Sequence, residues 1–160
     1  LEAAVGLSEV PIKIYDYAEV PFYSEDLEGE QRPSAVNDLL AAIKSADALL
    51  LATPEYNHSI SAVLKNAIDW ASRPAFESVL VGKPTGILSA AMSPVGGARA
   101  QQHLKVILAS TLTPIYPVNE YLLPSAHLAF DKAGELVDET ARLRLQRYLA
   151  GFAEWLVCQS

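Results

Sequence analysis

The sequence predicts an α/β chain in which a doubly wound parallel sheet lies between two layers of helices, and three observations predict it. Strand-like and helix-like segments alternate along the chain. The run Ala48-Leu49-Leu50-Leu51-Ala52-Thr53 is continuously apolar, as expected of a parallel strand buried on both faces. It is followed by a polar turn and then by helical periodicity, the order in which open α/β sheets present their ligand sites.

The elements follow in order. Pro11-Ile12-Lys13-Ile14-Tyr15 reads as a short strand, Tyr17 to Tyr23 as the loop leaving it, and the acidic stretch Ser24 to Glu30 as a solvated loop. Pro33 or Ser34 opens a helix through Ser45, with Val36, Leu39, Leu40 and Ile43 on its buried face. The strand at Ala48 comes next and Pro54 ends it. From Ser61 to Ala71, Val63, Leu64, Ala67, Ile68 and Ala71 recur at helical spacing, with Ser59 or Ser61 as N-cap. Arg73-Pro74 breaks that pattern, and Lys83 to Ser89 supplies the next buried strand. Ser89 to Gly97 forms a small-residue loop before a helix from about Ala98 to Ala109. Pro114-Ile115-Tyr116-Pro117-Val118 reads as the last strand, and Asn119 to Leu136 shows no chemistry. A closing helix from Glu139 to Leu156 places Leu143, Leu145, Tyr148, Leu149, Phe152 and Leu156 at near-helical spacing.

A chain of 160 residues with 51% hydrophobic content can bury a substantial core, and residues 1–160 read as a single domain without repeats or low complexity. The net charge of -7 argues against a nucleic-acid or anionic-membrane surface. Arg73, Lys83 and Arg99 are the basic candidates for the mouth of a site that receives an anion. The lone Cys158 excludes an internal disulfide framework, offers no metal cluster, and reads as a small core or interface residue. No apolar run is long enough to span a bilayer and no signal-peptide pattern is visible, so the expectation is a cytoplasmic protein with no membrane partner.

The turn Thr53-Pro54-Glu55-Tyr56-Asn57-His58-Ser59 is the candidate site. A helix N-terminus offers free N–H groups, and the Asn57 amide and Tyr56 phenol suit the polar edge and the face of a planar heteroaromatic ligand. In the second loop, Gly96 and Gly97 allow close backbone approach or positive φ, or else simply punctuate helix entry. His103 reads as a hydrogen-bonded structural residue and His127 as a loop residue. Taken alone, the residues support a ligand-binding α/β edge.

Thr53 to Ser59, Leu64-Lys65-Asn66-Ala67-Ile68-Asp69-Trp70 and Gly96-Gly97-Ala98-Arg99-Ala100-Gln101-Gln102-His103-Leu104 resemble, in order and separation, the NADPH-dependent FMN reductase family. This is the flavodoxin-like group that includes bacterial quinone, chromate and azo-dye reductases, and the similarity runs from about Val10 to the last helix. The resemblance implies a flavodoxin-like three-layer α/β/α fold, FMN as cofactor and NADPH or NADH as electron donor. It implies hydride transfer to FMN N5 and onward to free flavin, quinone or a similar small-molecule acceptor by a ping-pong sequence. Because flavin accepts hydride directly, neither His58 nor His103 is read as a base, and no catalytic side chain or metal is expected.

By the same resemblance, Pro54, Glu55, Tyr56 and Asn57 hold the flavin ring through backbone amides, the Asn57 amide and packing by Tyr56, with Ser59 a weaker contact. Ser89, Ala90 and Ala91 border the isoalloxazine. Ala90 and Ala91 stand where relatives commonly carry hydroxyl residues, so backbone N–H groups substitute there, and Ser89 and Ser93 remain as hydroxyl donors. A homodimer or homotetramer is implied, with Arg99 and Glu120 at positions resembling an inter-subunit polar pair. The family's first strand and its Gly-Ser-Leu-Arg-like phosphate loop have no counterpart here. Leu1-Glu2-Ala3-Ala4-Val5-Gly6 resembles the end of the family's first helix, so the domain reads as N-terminally incomplete by about 25 residues. Two other readings stand beside this one: an FMN electron carrier without NAD(P)H activity, and a flavin-free binding domain.

Overall fold

The computed structural model describes residues 1–118 and 120–159. Its elements are α1 (Glu2–Leu7), α2 (Ser34–Ser45), β1 (Leu49–Pro54), α3 (Ala62–Ala71), β2 (Thr85–Ala90), α4 (Ala98–Ser110), β3 (Tyr121–Leu123), α5 (Ala126–Ala129) and α6 (Glu139–Val157). The strands form one parallel sheet in the order β1-β2-β3. Pro54 pairs with Ala90 and Ala90 with Leu123, so the three strands end level and their loops leave from one common edge.

Successive side chains of a strand point to opposite faces. Leu49, Leu51 and Ile87 accordingly pack with Leu40, Leu64, Ile68, Leu104 and Leu108 of α2, α3 and α4. Leu50, Ala52, Leu88 and Ala90 pack with Ala4 of α1 and with Leu145 and Leu149 of α6. This odd–even split produces the three layers the sequence predicts. Val36 and Leu39 of α2 meet Ala67 and Trp70 of α3 in a further cluster. Local signals start the helices: the Ser61 hydroxyl accepts the Leu64 N–H and the Asp138 carboxylate accepts the Ala141 N–H. Each such cap contributes about 1 kcal/mol.

The Leu64–Trp70 motif has a structural task. Asn66 Nδ2 and Trp70 Nε1 both donate to the Pro21 carbonyl, at 2.9 and 2.8 Å, and the Tyr23 N–H donates to Asn66 Oδ1 at 2.8 Å. The Tyr23 ring then stands edge-on to Trp70, 5.0 Å between centroids. An extended segment is thereby strapped across α3.

Several segments depart from expectation. Pro11 to Tyr15 forms no strand and pairs with no element of the sheet among the described residues. Ile12 and Tyr15 are held by packing alone. The acidic stretch carries two 3-10 turns, Glu25–Leu27 and Gly29–Gln31, and Leu27 packs against the α2–α3 cluster. Val63 and Leu143 are exposed, so α3 and α6 bury narrower stripes than the periodicity suggests. Cys158 lies exposed beyond α6 and takes no part in the core.

The largest difference is the last strand. Around Ile115 the chain makes only a bridge to Thr85, with the Thr85 N–H donating to the Pro114 carbonyl and the Tyr116 N–H to the Thr85 carbonyl, both at 2.9 Å. Pro117 has no N–H to continue the ladder. Pairing resumes at Tyr121–Leu123, inside the stretch in which the sequence shows no chemistry and places no strand, whose first residue, Asn119, lies outside the described residues. The interruption leaves the Ile87 N–H without a strand carbonyl, and the Tyr148 hydroxyl of α6 accepts it at 2.7 Å. Burial pushes the Tyr148 phenol up to about 12, against the pull of the Ile87 N–H. No helix among the described residues is long and apolar enough to cross a membrane.

Tyr148→Phe strands the Ile87 N–H in the interior and is expected to cost about 1–3 kcal/mol in urea unfolding. The phenol is neutral in the fold, so its contribution is complete below the ordinary value of 10.0 and is lost as pH rises through about 12. Titrating stability against alkali should show that step in the wild type and lose it in the variant. Equal stability of the two proteins would show that Tyr148 does not fill the gap in the ladder.

Candidate functional site

The loops after β1 and β2 meet at the common edge. Buried Thr53 shapes the first: its hydroxyl donates to the Pro54 carbonyl at 2.8 Å and accepts the Ser61 N–H at 3.3 Å. Tyr56 and Ser59 exchange backbone hydrogen bonds of 3.0 and 2.9 Å. The two central residues, Asn57 and His58, are left-handed, with φ of 49° and 64°. Two positive φ values in succession make a type I′ turn, a conformation that asparagine tolerates better than most residues. The turn presents Asn57, His58 and a Tyr56 side chain that is largely in solvent.

Glu55 turns the other way. Its carboxylate, only 7% exposed, accepts the Arg99 and Ala100 N–H groups at 3.0 and 3.3 Å, which caps the N-terminus of α4. Arg99 Nη1 approaches the other oxygen at 3.3 Å and His58 Nδ1 approaches it at 3.5 Å. Burial alone would raise the Glu55 pKa. The bonds from the Ala100 N–H, the Arg99 side chain, His58 and the Arg99 N–H outweigh burial and hold it below the ordinary value of 4.5.

The second loop is fastened from three sides. The Ala91 N–H donates to the Leu123 carbonyl, the Ala126 N–H to the Ala91 carbonyl and the Ser125 N–H to the Ser93 carbonyl, at 3.0, 3.0 and 3.2 Å. The buried Ser89 hydroxyl donates to the Gly96 carbonyl at 2.7 Å. Gly97, with φ of 90°, closes onto Ser89 so tightly that a Cβ there would lie 2.7 Å from the serine side chain. Within this loop Ser93 Oγ is buried and has no hydrogen-bond partner, alone in that respect among the described residues.

The structure brings the predicted residues to one rim but divides their roles. Pro54 has no N–H and its carbonyl is taken by Thr53. The Tyr56 N–H is spent inside the turn and that of Glu55 faces Ala90 across the Pro54–Ala90 end of the ladder, whereas those of Asn57 and His58 bond nothing within the chain among the described residues. The Ser59 hydroxyl meets His103 Nδ1 at 3.1 Å, consistent with a structural histidine. Ser89 is not a free donor, because its proton goes to Gly96, and the Ala91 N–H is not free either, because Leu123 takes it. Ala90 is the last residue of β2.

Of the three basic candidates only Arg99 lies at the rim. Lys83 donates to the Lys44 and Ala46 carbonyls at the opposite end of the sheet, and Arg73, beyond the C-terminus of α3, meets Tyr23 and Glu28. Arg99 and Glu120 each have a partner inside the chain, Glu55 for the first, and Lys105 and Gln102 for the second. A cavity of about 360 Å³ beside Asp47 and Lys83 and another of about 260 Å³ beside Leu7 and Arg147 both lie away from the rim. The candidate site lies between the two loops, apart from both of these cavities. Sequence reasoning gave no role to Gln101, although a polar residue aligned with Leu104 and Leu108 on a buried helical stripe is a visible signal.

The profile of the NADPH-dependent FMN reductase family matches residues 1–128. An NAD(P)H-dependent FMN reductase of Pseudomonas aeruginosa is 43% identical over 160 residues, covering 98% of this chain and 85% of that one. A quinone reductase of Pseudomonas putida is 36% identical over 149 residues, covering 93% and 80%. Among solved structures, the flavoenzyme FerB, an NAD(P)H:(acceptor) oxidoreductase from Paracoccus denitrificans, superposes with a TM-score of 0.88 at 30% identity, covering 99% of this chain and 87% of that one.

Glu55→Gln keeps one acceptor oxygen for the Arg99 and Ala100 N–H groups, replaces the other by an amide nitrogen facing Arg99, and removes the charge from the N-terminus of α4; at neutral pH it should cost about 1–2 kcal/mol. The folded pKa is depressed, so the stabilisation is present above 4.5 and is lost as pH falls through the lower folded value. Denaturation midpoints of the two proteins should therefore converge in acid. A gap that persisted unchanged far below that value would show that the carboxylate's charge is not what joins the loops.

Proposed function

Because the chain belongs to the NADPH-dependent FMN reductase family, we propose that it is an FMN-dependent NAD(P)H oxidoreductase whose acceptor is a quinone or free flavin. The observation that carries the reading is the rim itself, where two loops leave level strands and present donors without partners. A flat heteroaromatic ring with carbonyl and nitrogen acceptors on one edge needs such a ledge: donors along a line, small residues below and an aromatic face beside it. The Asn57 and His58 N–H groups and the Asn57 amide supply the donors. Ala90 and Ala91 leave room for close approach, and Tyr56 is free to pack against a ring face.

Ser93 adds a hydroxyl whose burial without a partner costs about 1–3 kcal/mol until a bound group pairs with it. When bound, FMN supplies hydride transfer from a nicotinamide to its N5 and onward to the acceptor, in two half-reactions at one site. The chain's own part is to bind and orient the ring: no side chain at the rim is required to move a proton. Asn57 and His58 hold the tip in one conformation through the paired bonds of Tyr56 and Ser59. Quinone as acceptor is supported by relatives that carry that name, and a homodimer or homotetramer is the assembly we propose.

Titration with FMN followed by flavin fluorescence, and then NADPH and NADH oxidation with a quinone, tests the reading. Saturable binding with turnover is expected; binding without oxidation of either nucleotide would mean an electron carrier, and no binding would mean a flavin-free domain. Asn57→Gly removes the amide while keeping a residue at ease with positive φ, and should weaken FMN affinity about tenfold without unfolding the domain. Ser93→Ala should act in opposite directions, raising the melting temperature of the FMN-free protein and weakening FMN binding. Unchanged affinity in either variant removes that residue from the site.

A further inference from the structure

We propose that Gln101 is a positioning residue for the flavin, acting through Ser89 and Gly96 on the loop that borders it, an inference that rests on the reading above. Gln101 is 1% exposed. Its Nε2 donates to Ser89 Oγ and to the Tyr121 carbonyl, each at 2.9 Å. A carbonyl can only accept, so the orientation of the amide is fixed by Tyr121. With Ser89 Oγ accepting from Gln101, the serine proton is directed to the Gly96 carbonyl, another pure acceptor, at 2.7 Å. The polarity of the whole relay therefore runs one way, from α4 to the second loop.

A purely structural role would not call for this arrangement. Gln101 shares its stripe with Leu104 and Leu108, and a leucine there would extend the apolar face without desolvating an amide. A buried polar chain earns its place by fixing geometry. Here the fixed atom is the carbonyl of Gly96, whose φ of 62° is left-handed and whose own N–H returns to the Ser93 carbonyl. The relay sets the path of residues 93 to 97 and with it the placement of the unpartnered Ser93 hydroxyl. The same amide ties α4 to β3 through Tyr121, so helix, strand and loop share one side chain.

The test uses Ser89→Ala, Gln101→Met, their double variant and, as a stability control away from the rim, Tyr148→Phe. Measured are the melting temperature without FMN, the FMN dissociation constant by fluorescence, and the position of the bound flavin's visible absorption band. Each relay variant should weaken FMN roughly tenfold and shift the band, and the double should be no worse than the poorer single, because the members act as one chain. Tyr148→Phe should lower the melting temperature and leave affinity and band in place. If Ser89→Ala folds and binds FMN like the wild type with an unshifted band, the relay is structural only and the proposal falls. Ser89→Ala loses one hydroxyl and leaves the Gln101–Tyr121 bond, so it keeps the test decisive if Gln101→Met does not fold. Absence of FMN binding by the wild type itself would overturn the parent reading as well, and so is told apart from failure of the relay alone.

Discussion

The rim depends on one buried carboxylate. The loops after β1 and β2 start from different strands and enter different helices, and beyond the Pro54–Ala90 pair the sheet does nothing to hold them together. Glu55 closes that gap by leaving the first loop and capping the helix that follows the second. The arrangement is mutually required: a helix N-terminus needs acceptors for its orphan N–H groups, and a carboxylate with so little exposure needs donors. Since α4 already has its anion, that helix end is not where a ligand's phosphate would be received.

Around this clamp the two loops differ in kind. The second is bonded along its length, to Leu123, Ser125 and Ala126 on one side and to Ser89 on the other, with glycine at the two positions where a Cβ would strike Ser89 or the Pro124 backbone. The first has a buried base at Thr53 and Glu55 and an exposed tip at Tyr56 to His58. A ligand resting between them meets a rigid floor and a tip held by its own pair of turn hydrogen bonds and by the approach of His58 to Glu55. Most of the affinity lost on ordering a site is therefore already settled in the fold.

The fold was legible in the sequence wherever its causes are local. The apolar run at Ala48, the Ser61 cap and the periodicity of α2 each decide their element within a few residues, and the structure places them within one or two positions. The last strand was not legible, because Pro117 interrupts the ladder and the acceptor that repairs it, Tyr148, lies 61 residues from Ile87. The site divides in the same way. Asn57 and Tyr56 stand free at the turn, as their types suggest, whereas Ser89 and Ala91 are withdrawn by Gln101, Gly96 and Leu123, whose positions only the folded chain reveals. At Gly96 and Gly97 both sequence readings hold: φ is positive and a Cβ would strike Pro124 or Ser89, while Gly97 is also the residue from which α4 starts.

Charge shows how far a whole-chain property can mislead about a site. The net -7 suggests repulsion of an anionic nucleotide, yet the rim carries little of it. Glu55 is balanced by Arg99 and by the positive end of α4, with His58 beside it. Glu28, from the acidic stretch, is held by Arg73 beyond the C-terminus of α3, while the rim lies at that helix's N-terminus. Ten residues of helix separate the two ends, about 15 Å, nearly twice the screening length of about 8 Å at physiological ionic strength. An approaching anion thus feels the Glu55–Arg99 pair and the helix end it caps, and meets a locally compensated ledge on an acidic protein.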